Sequence, residues 1–282
     1  MKTEGSTSTD SLVKGASFLF HDKGPRNRLT TQFVGMTFVL TVLFLLAIGA
    51  CGRGEDQGCL LDQSSSFSTI ILTAEDGTPL CGRVYGSKEP PFTGNAVVLA
   101  HGWSEDQSEW NELAESLSSR GYLVLTFSFR GHGLSGGERD PDKLVTDLEA
   151  ALDYLRSQEI QEWFLIGSGT GATATIHAAD NSNSLGVVLL SVSSEFEDMN
   201  ALGNMPELEM PKVLIVSEQD FAAHSASVAY FDASVSPRIL EVFSGDEQGI
   251  ALLRGIHSTK VQKRISDFLE AHRSSAPTGT IP

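Results

Sequence analysis

What most constrains this chain is a series of short, wholly apolar runs separated by segments with helical spacing. Ala96–Ala100 (AVVLA), Trp163–Ile166 (WFLI) and Val213–Ser217 (VLIVS) show no alternation of polar and apolar residues. Strands of that kind fit a parallel sheet covered on both faces, not a sheet with one wet side. The full set of strand candidates is Ser68–Leu72, Leu80–Tyr85, Ala96–Ala100, Leu123–Ser128, Trp163–Ile166, Gly186–Ser191, Val213–Ser217 and Ile239–Phe243. Between them, Leu113/Leu117, Leu144/Leu148/Leu152/Leu155 and Val261/Ile265/Phe268/Leu269 recur at helical intervals. Two strands before the first helix, followed by strand–helix alternation, predict one α/β domain over residues 67–272 with an antiparallel start.

At 282 residues and 40% hydrophobic, the chain can bury one sizeable core. Its formal net charge of −16 argues against nucleic acid as a partner, because phosphate binding needs a basic face and the Lys and Arg residues form none in the domain. A small molecule or a protein is the expected partner. No repeat recurs at a fixed period.

Residues 1–51 are of another kind. A polar lead containing Lys23, Arg26 and Arg28 precedes the uncharged apolar run Phe33 to Ala50, a membrane-directed segment. The run ends in Ile48-Gly49-Ala50-Cys51 and resembles a bacterial lipoprotein signal, in which Cys51 would carry the lipid. An uncleaved signal anchor is the rival reading, and a buried core helix the bland one. On both membrane readings, positive charge before the run and acidic residues after it put the domain outside the cytoplasm, at a bacterial cell surface or in the periplasm. Cys59 and Cys81 are then either a disulfide in an oxidising compartment or two free thiols. Residues 52–66, which run into the Ser-rich stretch 63–68, read as a linker, and 273–282 as a frayed tail.

Four motifs add a more specific likeness. His101-Gly102-Trp103 follows the third strand, Phe129-Arg130-Gly131-His132-Gly133 the fourth, Gly167-Ser168-Gly169-Thr170-Gly171 the fifth, and Ser217-Glu218-Gln219-Asp220 a late strand. In this order, over about 200 residues, they resemble the α/β-hydrolase family. The resemblance implies a mostly parallel central sheet of about eight strands flanked by helices, with a Ser…Asp…His triad. Larger members insert a lid between the elements that here flank residues 191–211, so no large cap is expected.

Carried over position by position, the triad is incomplete. The elbow keeps its small residues Gly167, Gly171 and Ala172, but the nucleophile position is Gly169. Asp220 holds the acid position, while Gln248, in Gly245-Asp246-Glu247-Gln248-Gly249, stands where the imidazole belongs. An amide cannot take and return a proton near neutral pH. The oxyanion hole implied by the family would use the backbone amides of Trp103 and Thr170, which do not depend on side-chain type. Ser128 replaces an Asp that many relatives carry before Phe-Arg-Gly. Fallback catalytic residues are Ser168 or Thr170 with His257; His101 and His132 have structural roles in the family loops, and His177 lies in the helix after the elbow. No metal-ligand spacing is present, and no cofactor is implied. The expected function is therefore a tethered, extracytoplasmic pseudo-hydrolase that binds a ligand or a protein. An active esterase or peptidase-like hydrolase with a relocated nucleophile, and a structural surface lipoprotein, are the alternatives.

Overall fold

The computed structural model describes residues 58–62, 64–86, 95–179, 183–193, 196 and 199–273, which fall in one compact unit. Eight strands form one sheet: β1 (Phe67–Thr73), β2 (Pro79–Tyr85), β3 (Ala96–Ala100), β4 (Leu123–Phe127), β5 (Trp163–Ser168), β6 (Ser184–Leu190), β7 (Lys212–Ser217) and β8 (Arg238–Phe243). Their spatial order is β1-β2-β4-β3-β5-β6-β7-β8. The pairs β1/β2 and β2/β4 are antiparallel, and every later pairing is parallel. All eight expected strands are present, with ends displaced by one or two residues.

The helices are α1 (Asn111–Ser118), α2 (Leu144–Ser157), α3 (Thr170–Ala179), α4 (Phe221–Ala233) and α5 (Ser258–His272). They cover both faces of the sheet, which is why the inner strands β3, β5, β6 and β7 read as near-continuous apolar runs. Along β5, Trp163 and Leu165 join the layer under α2, α3 and α4, whereas Phe164 and Ile166 join the layer under α1 and α5. This is the two-residue pleat of a strand read from its packing partners. Among the described residues of 191–211 no cap domain is built; a short 3-10 turn, Leu202–Glu207, lies there.

Folded structure begins earlier than the sequence suggests. The chain turns helically at 58–60, and Cys59 is disulfide-bonded to Cys81 in β2. Asp62 accepts from Arg83 Nε at 2.7 Å, and the same guanidinium donates to Asn111 Oδ1 at 2.9 Å. The linker expected over 52–66 is therefore shorter at its C-terminal end: a covalent bond and a half-buried ion pair hold its last residues on the sheet. The anchor expected over residues 1–51, Cys51 included, and residues 274–282 of the expected tail lie outside the described residues. Among the described residues no helix is long and apolar enough to cross a membrane.

Candidate functional site

At the carboxyl ends of β3, β5, β7 and β8 the loops converge on a cleft of about 430 Å³. Ligand sites of open parallel sheets form at this end, where neighbouring crossovers diverge. Gly169 is the turn between β5 and α3, at φ 54°, a left-handed conformation that costs glycine little. A Cβ at Gly169 would meet Gly102 Cα at 3.8 Å and Ser193 Oγ at 4.0 Å, ordinary contacts, so the position has room for a side chain. Its neighbours do not. A Cβ on Gly167 would lie 2.5 Å from the Ala172 Cα, and one on Gly171 would collide with the carbonyl oxygen of His101. The elbow is thus closed to a β-carbon two residues to either side, at Gly167 and Gly171, and open at its apex.

Gly169, Asp220 and Gln248 all line the cleft, as do Trp103 and Thr170. Asp220 sits at the N-terminus of α4, only 6% exposed, and Gln248 Nε2 donates to its Oδ1 at 3.5 Å. Three chain segments far apart in sequence therefore meet at one cleft. Among the described residues, the Trp103 and Thr170 amides have no hydrogen-bond acceptor in the protein. For Thr170 the reason is its place as the first residue of α3, where helical amides have no carbonyl to bond.

The loop after β3 contributes a residue that the motifs did not single out. Glu105 lines the cleft, and its Oε2 accepts the Gly102 N–H at 2.7 Å. The Ser168 hydroxyl and the Ile250 N–H are also directed at this carboxylate, and burial pushes its pKa up. Glu105 thereby joins the β3 loop, the elbow and the loop carrying Gln248. Its only trace in the sequence is an acid three residues after the glycine of His-Gly-Trp, in a Ser-Glu-Asp run that reads as a solvated loop.

Ser168 and His257 are not brought together. Ser168 is 1% exposed, and a Cβ on Gly249 would collide with its hydroxyl oxygen, so that oxygen lies directly beneath the backbone of the Gln248 loop. His257 precedes α5, away from the lining of the cleft; its Nε2 is 2.8 Å from Ser244 Oγ and its ring packs on Phe243 at 5.3 Å. The buried histidines are structural. His101 Nδ1–H donates to the Gly102 carbonyl at 2.7 Å, and its Nε2 accepts the Phe129 N–H at 3.0 Å. His132 Nε2 lies 2.8 Å from the Trp103 carbonyl, which fixes the peptide following that residue. Ser128 supports the same loops by accepting the Gln107 N–H at 3.2 Å. His177 lies within α3.

Glu105 and Asp220 are the only titratable residues among the described residues lining the cleft. Neither a nucleophilic side chain at the apex nor an imidazole faces Asp220. No group of three His, Cys, Asp or Glu among the described residues could hold a metal ion. What remains is a binding cleft with free backbone donors, hydroxyls, two carboxylates and an aromatic wall.

A family model described as serine aminopeptidase, S33, matches residues 93–219. A monoglyceride lipase homolog of monkeypox virus is 37% identical over 100 residues, covering 33% of this chain and 36% of the viral protein. The uncharacterized protein YfhR of Escherichia coli K12 is 26% identical over 186 residues, 64% of this chain and 62% of that protein. The chain thus spans less than two thirds of each of these relatives. Among solved structures, an esterase of Pyrococcus furiosus superposes with a TM-score of 0.63 at 18% identity, over 73% of this chain and 92% of the esterase. An enol-lactonase of Burkholderia xenovorans LB400 gives 0.62 at 16% identity, over 71% and 100% of the two chains.

Proposed function

Because this chain is an α/β-hydrolase-fold protein whose elbow apex is a glycine, we propose that it is a pseudo-hydrolase: it binds a small molecule or a protein partner in the cleft and does not turn over acyl esters. A single observation carries the reading: Gly169, Asp220 and Gln248 converge on one cleft, and the two that would have to do chemistry, as nucleophile and base, have no group able to do it. Asp220 in the acid position can orient an imidazole, but Gln248 offers it only an amide N–H. The oxyanion-hole role assigned to the Trp103 and Thr170 amides is retained as a binding role, since those donors suit a ligand carbonyl whether or not a serine attacks it.

The protein is further proposed to be tethered to a membrane and to face the outside of a bacterial cell, through residues 1–51. Supporting this are the apolar run Phe33 to Ala50, its charge flanks and a Cys59–Cys81 disulfide suited to an oxidising compartment. Lipid labelling should be lost in Cys51→Ser if the cysteine is the lipidated residue; continued labelling would rule that out.

Catalysis is tested by restoring both missing groups. Triad members act as a unit, so Gly169→Ser and Gln248→His should each leave ester turnover at the wild-type background. The double variant should gain measurable turnover of short p-nitrophenyl esters and labelling by a fluorophosphonate probe, because position 169 has room for the side chain. Fluorophosphonate labelling of the unmodified protein, removed by Ser168→Ala, would replace this reading with a relocated nucleophile.

A further inference from the structure

Loss of the imidazole changes the charge of the cleft as well as its chemistry. Asp220 has a neutral amide for its neighbour, at 3.5 Å, in place of a group that can become a cation. Glu105 adds a second carboxylate, and among the described residues no Lys, Arg or His lines the cleft. Arg139 stands 5.9 Å from the centre of the Trp103 ring but is not part of the lining. Part of the lining is aromatic: Trp103 and Phe196 pack with ring centroids 4.8 Å apart. Carboxylate oxygens and π faces bind cations, and the chain as a whole carries −16.

We propose that the cleft selects a ligand bearing a positively charged alkylammonium group and rejects carboxylates, including the acids that ester hydrolysis would release. The inference rests on the binding role proposed above and deepens it. An ammonium in the cleft meets the Asp220 carboxylate in a partly desolvated site, where the Coulomb attraction between opposite charges is stronger than on an open surface. A carboxylate placed there meets two like charges.

Three probes of matched size test this on the full-length chain: 2-phenylethylammonium, 2-phenylethanol and phenylacetate, each titrated by NMR. The ammonium should bind about tenfold more tightly than the alcohol, and phenylacetate more weakly than both. Asp220→Asn should bring the ammonium most of the way down towards the affinity of the alcohol, Glu105 being the carboxylate that remains, and an unchanged amide spectrum of the variant reports that the fold is intact. Ala222→Trp, a substitution at the exposed rim, should abolish all cleft binding. Alcohol or phenylacetate binding as tightly as the ammonium, and lost in Ala222→Trp, would overturn the charge selection and leave the binding role standing. Absence of ammonium binding at millimolar concentration would overturn it as well, and would leave the binding role to rest on other ligands.

Discussion

Gly169 combines two properties that an active elbow keeps apart, an unstrained turn and an empty apex. Its φ of 54° is comfortable for glycine and costs a residue with a β-carbon roughly 1 to 3 kcal/mol. Gly169→Ser alone should therefore lower the melting temperature by several degrees without adding activity, a trade measurable by calorimetry against the double variant. His101 makes a separate prediction. Burial pulls its pKa down from 6.5 to about 4, and its two ring nitrogens are already committed, one donating to Gly102 and the other accepting from Phe129. A proton on Nε2 would cancel the second bond. In the unfolded chain the histidine titrates near 6.5, so below that pH the unfolded state holds the extra proton and the folded state does not. Stability should fall by about 3 kcal/mol as pH drops from 6.5 to 4 and lose no more from this residue below that. Denaturant midpoints across this range would check it; in His101→Gln the acid slope should be shallower by about one proton.

The elements that the sequence reveals are those whose physics is local. Strands buried on both faces must be apolar at consecutive positions, so β3, β5 and β7 are legible as runs, and α1, α2 and α5 as stripes. Helix α4 is not, because Phe221–Ala233 (FAAHSASVAYFDA) spreads small and apolar residues around its whole circumference and leaves no period to detect. Glu105 is hidden for a different reason: its partners Gly102, Ser168 and Ile250 come from three segments, and only the fold brings them together. The elbow is the opposite case, since its glycines are demanded by backbone proximity within a few residues. Gly171 packs α3 directly on the end of β3, where a β-carbon would fall on the carbonyl oxygens of Ala100 and His101. Gly171→Ala should cost about 3 kcal/mol or more, since backbone cannot yield as a side-chain tip does. An unchanged urea midpoint would mean that α3 can slide outward at no cost.

At the scale of the whole molecule, the ordered motifs were enough to anticipate the eight-stranded architecture, whereas the point at which folded structure begins was set by a bond that spacing alone could not establish. Cys59–Cys81 encloses β1 entirely, since Phe67–Thr73 lies between the two cysteines. β1 is an edge strand held by β2 on one side only. A pull on residues preceding Cys59 would otherwise open β1 from β2 one ladder rung at a time, beginning at the Phe67–Tyr85 pair. With the bond in place that load bypasses β1 and enters the sheet at Cys81, beside Ser128 and the inner strand β4, so many rungs must give way together instead of in succession. Force spectroscopy with the handle on the N-terminal segment should show one high rupture for the oxidised protein and, after Cys59→Ser with Cys81→Ser, an earlier low-force step as β1 peels away. If the proposed N-terminal tether holds, the disulfide acts as a strain relief where load from the tether first meets the sheet.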